Sequence, residues 1–286
     1  MRGWPEFSGK TDNFIELRSL KMRIKTLVTA VALATMAGMG SVANAAIDTG
    51  SPGQPLGSEM FVTVFDPSGL TSYALDLGIF HSTFVDANTT NLSFDLAQDV
   101  NFSQFVGQTD LRFTVESIYR DFNNLDDVTN FGLLTTTSTS EATLLNQVAN
   151  FAALAARTAT VSTMGLNLNV DAGQGQTDFA ANNSGVSIVG DIGYYGNPTW
   201  GDNMGNAGFT ISSTVGTSID FYFLSINATD GAYDNVMLTN FGSWNLSTAG
   251  MLTYTSNASV VPVPAAAWLF GSGLLGLVGV ARRKVA

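Results

Sequence analysis

The acidic residues are the side chains of this sequence whose chemistry is easiest to assign. Glycoside hydrolysis needs two carboxyl groups held about 5–10 Å apart in a cleft. Between Ala46 and Val261 the glutamates are Glu59, Glu116 and Glu141. Glu116 falls within an alternating apolar stretch and is suited to facing a groove, whereas Glu141 has the spacing of a helix-capping residue. Paired carboxylates therefore leave a secreted glycan-acting hydrolase open as an alternative function.

The sequence lacks residues that several kinds of nucleophilic and metal-binding site require. His81 is the single histidine, which excludes a histidine-rich metal site, and no Gly-x-Ser-x-Gly motif is present. Cysteine is absent, which excludes thiol nucleophiles, cysteine-ligated zinc and iron–sulfur clusters. A Ser-His-Asp catalytic triad that uses His81 stays open as an alternative, because serine and aspartate are plentiful. We expect His81 to be a strand residue near a turn, and we expect no enzymatic activity.

Two acidic segments have the oxygen-rich composition of a calcium-binding loop, and no other cofactor is expected. In the segment 121–127 the candidate ligands are Asp121, Asn123, Asp126 and Asp127. This segment lacks the glycine at position 6 and the glutamate at position 12 of an EF-hand. The second candidate runs from Asp171 to Asp178. Aspartate and asparagine are also ordinary turn residues, so the turn interpretation stays open for both segments.

An aromatic segment offers a shallow site for a sugar. Residues 194–203 place Tyr194, Tyr195 and Trp200 among glycine, asparagine and aspartate. Aromatic stacking combined with side-chain hydrogen bonds is how a shallow polar site holds a sugar ring. The alternative is that Trp200 fills the end of the β domain. The segment therefore predicts either a glycan contact or a plug of the core.

Alternation of apolar and polar residues predicts the elements that position these groups. Period-two patterns occur at 73–79, 111–119 and 164–170, and turn-forming residues separate these and other short apolar runs, such as 219–226 and 251–254. Such patterns are typical of half-buried antiparallel strands. A capping box from Ser138 to Glu141 precedes an apolar face of helical period. We predict an all-β fold, an antiparallel β-sandwich or jelly-roll-like domain over 46–258, with one amphipathic helix at about 140–157.

The N-terminal region has the layout of a secretory signal peptide. Residues 22–45 contain two cations, then an apolar stretch, then small residues that include Ala43 and Ala45. This order is typical of export through the Sec translocon, and we expect cleavage after Ala45. Residues 1–21 have no periodic apolar face, and we interpret them as an extension upstream of the true start at Met22.

The C-terminal region, 259–286, combines a proline motif, an apolar segment and a basic end. The run 265–281 is 17 residues long and carries no charge, which is at the lower limit of about 17–25 residues for a spanning helix. A soluble helix is amphipathic, whereas this segment is apolar all round. The three cations that follow favour the cytoplasmic side, so the segment predicts a transmembrane helix with the rest of the chain outside.

This tail has the order of a known sorting signal. The motif residues are Val261, Pro262, Val263 and Pro264. The apolar run follows and begins with two alanines, and after it come the basic residues Arg282, Arg283 and Lys284. The tail resembles the PEP-CTERM signal of Gram-negative bacteria, in the variant in which Val-Pro-x-Pro-Ala-Ala replaces Pro-Glu-Pro. The resemblance implies processing by an exosortase in the inner membrane and a destination at the cell surface or outside the cell. It also implies an organism that makes exopolysaccharide.

The region between the two ends is strongly acidic. Residues 46–261 contain three arginines, no lysine and twenty acidic residues, which give a formal charge of −17. Such a charge disfavours nucleic acid and anionic lipid and suits a protein dissolved outside the cell. We therefore expect an exported structural or adhesive protein associated with exopolysaccharide or biofilm. The alternatives are the hydrolase and a plain single-span envelope protein.

Overall fold

The computed structural model describes residues 47–50, 56–67, 71–88, 90–121, 131–169, 183–195, 210–226 and 235–257. Ten strands in these ranges form one antiparallel sheet, which curls into a half-barrel. The strands are β1 (Glu59–Asp66), β2 (Thr71–Phe80), β3 (Leu92–Asp95), β4 (Arg112–Arg120), β5 (Phe131–Thr137), β6 (Ser184–Ile188), β7 (Ser213–Thr214), β8 (Ile219–Ile226), β9 (Val236–Leu246) and β10 (Met251–Ser256). Their order is β3-β10-β9-β8-β5-β4-β1-β2-β6, and β7 pairs with β4. The predicted antiparallel β class is confirmed in its coarser form, because the described chain is mostly β with a few helices.

Helical segments pack on both faces of the sheet. The α-helices are α1 (His81–Asp86), α2 (Glu141–Gln147) and α3 (Phe151–Asn169). Two short 3-10 helices span Leu96–Gln98 and Val100–Phe105. The sequence favoured two facing sheets, but the described strands belong to a single sheet, and these helices cover part of each of its faces.

The sheet separates two hydrophobic cores. On one face, Val62 and Val64 of β1 join a cluster that includes Phe84 of α1 and Phe102. On the other face, Phe61 and other residues join a cluster with the buried side of α3. The central strand β1 is buried along both faces for this reason, whereas β10, near the edge, alternates between buried and exposed residues. Apolar burial on both sides of the central strands supplies the main stabilisation of the fold.

The predicted helix at 140–157 is two helices. The first begins after Ser140, whose hydroxyl accepts a hydrogen bond from the Thr143 N–H, so the predicted N-cap at Ser138 is wrong. A second helix, α3, begins after Asn150, because the Asn150 side chain accepts a hydrogen bond from the Ala153 N–H at 3.0 Å and caps α3. Asparagine is among the most favourable N-cap residues, so Asn150 favours the start of a separate second helix at this point.

The predicted strand at 164–170 is wrong, because residues 164–169 belong to α3. The buried residues of α3 recur at helical spacing: Leu154, Thr158, Val161, Gly165 and Leu168. Packing against β4, β5 and β8 therefore selects the helical period over the alternation of the same residues.

The membrane and sorting predictions lie outside the described ranges. Residues 1–46 and 258–286 contain the signal cleavage site, the sorting motif and the apolar segment 265–281. Within the described ranges, no helix has both the length and the apolarity that crossing a membrane requires.

Candidate functional site

A bulge between β1 and β2 brings the carboxyl groups of Glu59 and Asp76 together. In the register of these strands Glu59 pairs with Phe80 but Phe61 pairs with Asp76, so β2 contains two extra residues between the pairs. Gly78 within the bulge has a φ of 64°, a conformation that glycine adopts without strain. The Gly78 N–H donates to Asp76 Oδ1 at 2.7 Å and holds the Asp76 side chain in place. Bulges often re-aim side chains in this way.

The environment of this pair favours the neutral form of a carboxyl group. Asp76 is 6% exposed, and burial followed by the neighbouring Glu59 carboxylate raises its pKa to about 8. Burial also raises the pKa of Glu59, although the Asp48 N–H, which donates to Glu59 Oε2 at 2.9 Å, opposes this change. The Asp76 and Glu59 side chains also share a hydrogen bond, which requires a proton on one of the two carboxyl groups. Two carboxyl groups in contact bind one proton between them more readily than they ionise together.

A second buried acid lies on the same face of the sheet. Glu116 of β4 is opposite Phe61, which is in turn opposite Asp76. The Tyr195 hydroxyl donates to Glu116 Oε2 at 3.2 Å, and the Thr114 hydroxyl lies 3.0 Å from the same tyrosine oxygen. Burial raises the pKa of Glu116 to about 7, because the bond from Tyr195 offsets only part of the cost of burying the charge.

The arrangement of Asp76 and Glu116 does not form a cleft. Neighbouring strands lie about 4.8 Å apart, so two residues separated by one strand are about 10 Å apart along the sheet. That separation is near the range of an inverting glycosidase. Phe61 lies between them and is 1% exposed, and Glu116 is 2% exposed. A substrate would therefore have to displace core side chains, so this geometry gives the hydrolase alternative no support.

His81 is buried, and its environment keeps it neutral. It is the first residue of α1, directly after β2, so the prediction that it belongs to a strand is wrong. Its Nδ1 lies 3.0 Å from the Ser117 hydroxyl, and its ring packs against Tyr119 and Phe223. Burial lowers the pKa of His81 to about 3. The packing of its ring between two aromatic residues favours a structural role over the Ser-His-Asp alternative.

Two residues of the predicted aromatic glycan contact lie inside the fold. Tyr195 is 1% exposed and donates inward to Glu116, and Tyr194 is also buried, so neither ring is available to stack on a sugar. Trp200 lies outside the described residues, and its part of the prediction is untested. A buried tyrosine next to an acid on another strand could not be recognised from the sequence, because the two residues are 79 positions apart.

The calcium prediction falls mainly outside the described ranges. Asp121 follows β4 and is half-buried, whereas Asn123, Asp126, Asp127 and the segment 171–178 are not described. In the parts of the chain with described structure, no three histidine, aspartate or glutamate side chains converge as a metal site. Calcium at Asp121 and its neighbours stays a prediction.

The structure reveals a surface that sequence patterns did not indicate. On β3, β10, β9 and the start of β8, one side of the sheet packs in the core and the other presents half-buried or exposed side chains. These residues form the open polar face: Ser93, Asp95, Asp220, Ser243, Asn245, Met251, Thr253 and Thr255. The pairing aligns Ser93, Thr253 and Asn245 in one row. Thr255, Ser243 and Asp220 form a second row.

The described residues define a class of protein, namely a curled antiparallel β domain with buried acidic residues and an open polar face. Comparisons of the chain with protein-family models, with curated proteins and with solved structures found no match.

Proposed function

We propose that this protein is an exported structural or adhesive protein that an exosortase sorts to the cell surface or extracellular matrix, where it contacts exopolysaccharide. The observation that carries this proposal is the order of motif, apolar run and cations from Val261 to Lys284. In the proposed pathway the segment 265–281 is a transmembrane helix that holds the precursor in the inner membrane. The exosortase then removes this tail.

The start of the described domain is consistent with signal cleavage after Ala45. Ile47 is buried in the core beside α3. Its N–H donates to Asn169 Oδ1 at 2.8 Å, and its carbonyl accepts from Asn169 Nδ2 at 2.6 Å. Cleavage at the predicted bond would leave one residue, Ala46, before this anchored position. Cleavage there would therefore keep every described residue of the core, which begins at Ile47.

The end of the described domain is consistent with processing close to the membrane. Strand β10 ends at Ser256, and the Asn257 N–H donates to the Phe241 carbonyl at 2.9 Å. Eight residues later the apolar segment begins at Ala265. Even a fully extended chain of this length spans at most about 30 Å. The domain would therefore stay near the bilayer until the exosortase releases it.

The open polar face supports the proposed contact with a polysaccharide. Its rows present hydroxyl and amide groups, and these can donate to and accept from sugar hydroxyls. The charged residues of this face, Asp95 and Asp220, are acidic, which favours a neutral or cationic polymer over an anionic one. The proposal thus moves the glycan contact from the buried tyrosines to this surface.

The sorting proposal predicts that loss of the motif prolines traps the protein in the membrane. We expect the double variant Pro262→Ala, Pro264→Ala to remain in the membrane fraction with its tail attached. The wild type should reach the surface or medium with a mass that begins at Ala46 and lacks the basic end. Intact-mass measurement of fractionated cells, detected with an antibody to the β domain, distinguishes the two results.

The matched control for this experiment is Val263→Ala, which changes the variable position of the motif. This variant should be processed like the wild type, and a strain without the exosortase should behave like the double variant. If the wild-type tail stays attached both with and without the enzyme, the protein is a plain single-span envelope protein and the sorting proposal is wrong.

The polysaccharide proposal predicts a loss of binding when the open polar face is truncated. Asn245→Ala with Thr253→Ala removes two adjacent groups whose remaining bonds within the fold are long, at 3.5 and 3.4 Å. We expect co-sedimentation with the host exopolysaccharide to fall about tenfold, which corresponds to about 1.4 kcal/mol. The control is Asn146→Ala with Gln147→Ala on exposed α2. Equal loss in both variants, or binding that neither change affects, would contradict the assignment.

A further inference from the structure

We propose that Met251 is the apolar contact between the open polar face and a sugar ring, and that a peroxide weakens this contact by oxidising the Met251 sulfur. This role rests on the proposed contact with a polysaccharide and gives it a contact residue and a means of regulation. It draws on the position of Met251 within the face, on its exposure and on a hydrogen bond to its sulfur.

Met251 is the one apolar side chain among the eight residues of the open polar face. It begins β10, lies opposite Asp95 of β3 in the strand register and is 37% exposed. A sugar ring carries C–H groups on its faces as well as hydroxyl groups at its edge, so a site that holds one needs an apolar contact beside its polar groups. Methionine suits such a contact, because its unbranched, polarizable side chain adapts to irregular shapes.

A hydrogen bond holds the sulfur of Met251 on this face. The Ser93 hydroxyl donates to Met251 Sδ at 3.2 Å, so the side chain reaches from β10 towards the neighbouring strand β3. A thioether sulfur has two lone pairs, and this bond occupies one of them. The other lone pair is free to react, and the partial exposure of the side chain lets a small oxidant reach it.

Oxidation converts the apolar contact into a polar one. The sulfur lone pair attacks one oxygen of hydrogen peroxide, an S–O bond forms and the O–O bond breaks. The leaving hydroxide takes the proton of the transferred oxygen and departs as water, so the sulfur is oxidised to a sulfoxide and the peroxide is reduced. The sulfoxide oxygen prefers water to the C–H groups of a sugar, and binding of the polymer therefore weakens.

The backbone at Met251 is fixed independently of its side chain, so oxidation leaves the strand in place. The Met251 N–H donates to Ser247 Oγ at 3.0 Å, and the Met251 carbonyl accepts from the Ser247 N–H at 2.9 Å.

Met237 of β9 provides a matched comparison, because it is 39% exposed on the opposite side of the sheet. Its neighbour Leu238 packs against the core beside α3, whereas Leu252, the neighbour of Met251, lies in the other core. Successive side chains of a strand point to opposite faces, so the two methionines face opposite ways. Oxidation of Met237 should therefore leave the open polar face unchanged.

Co-sedimentation of the full-length chain in detergent with the host exopolysaccharide, before and after hydrogen peroxide, tests this proposal. We expect oxidation to weaken binding by the wild type about fivefold, and methionine sulfoxide reductases to restore it. Met251→Leu keeps an apolar contact without an oxidisable sulfur, so it should bind equally before and after peroxide. Met237→Leu should lose binding on oxidation as the wild type does. Peptide mass spectrometry should show one added oxygen at Met251.

Unchanged binding by a wild type that carries the Met251 sulfoxide would overturn the proposal. Met251 that stays reduced while Met237 is oxidised would also overturn it, as would an equal loss of binding in peroxide-treated Met251→Leu, which would place the sensitive group elsewhere. Absence of binding by the wild type before any oxidation is a distinct result. It would contradict the proposed contact with a polysaccharide itself, and the role of Met251 would be wrong with it.

Discussion

Replacing Glu116 with glutamine is expected to stabilise the domain in alkaline solution and to leave its stability almost unchanged in acid. Glu116 is fully buried, and its pKa in the folded protein is raised from 4.5 to about 7. The unfolded chain therefore loses this proton at a lower pH than the folded protein does. Glutamine has the shape of the protonated acid and still accepts the bond from Tyr195, so it copies the neutral form at every pH.

The sign of the pH dependence follows from proton linkage. A group whose pKa is raised on folding stabilises the folded state fully below its unfolded pKa, and this contribution is lost as the pH rises through the folded value. For Glu116 the loss extends from about pH 4.5 to about pH 7. At 1.36 kcal/mol for each pKa unit, the contribution amounts to about 3 kcal/mol.

Urea unfolding of the wild type and Glu116→Gln at about pH 4 and about pH 8 measures this contribution. We expect equal stabilities at the lower pH and an advantage of up to about 3 kcal/mol for the variant at the higher pH. The raised pKa of Asp76 and the lowered pKa of His81 are common to both proteins and cancel in the comparison. Glu141→Gln, at an exposed position, should follow the wild-type profile. Parallel profiles for Glu116→Gln and the wild type would refute the prediction.

Replacing Trp244 with alanine is expected to remove a large part of the stability of the domain. Trp244 of β9 is fully buried, with its ring 5.1 Å from Tyr254 and 5.9 Å from Phe221. Removing a buried tryptophan costs about 3–5 kcal/mol, out of a total of about 5–15 kcal/mol for a domain. Because the site joins β8, β9 and β10, we expect the loss to unfold the region that carries the open polar face.

Thermal unfolding measures this effect, and we expect the melting temperature to fall by about 10 °C or more. The matched variant is Trp244→Phe, which keeps an aromatic ring and removes the indole N–H that has no hydrogen-bond partner among the described residues. It should lose clearly less than Trp244→Ala. A change of less than about 1 kcal/mol in Trp244→Ala would show that this cluster is not central to stability.

Most strands were predictable from the sequence because their faces differ in polarity. The alternation in 73–79 and 111–119 predicted β2 and β4, and the short runs at 219–226 and 251–254 predicted β8 and β10. The prediction was wrong at 164–169, where apolar residues alternate. The sheet beneath α3 selects the helical period instead, which buries Met164, Gly165 and Leu168 and leaves Leu166 51% exposed.

The candidate sites were less predictable than the fold because their parts come from distant positions. Glu116 was recognised as a strand residue suited to facing a groove, but its partner Tyr195 was interpreted as a surface group. The Glu59–Asp76 pair depends on a bulge that shifts the register by two residues, and no local pattern indicates such a shift. The open polar face depends on which strands the helices leave uncovered.

The sequence by itself determined the class of fold, the strong negative charge and the layout of the two ends, because composition and periodicity are local properties. From these come the predicted signal peptide, sorting motif and membrane segment. The tertiary structure alone decided which acids are buried, which aromatic rings face inward and which side of the sheet stays open. These properties depend on strand register and on helix packing, and both bring together residues that lie far apart in the chain.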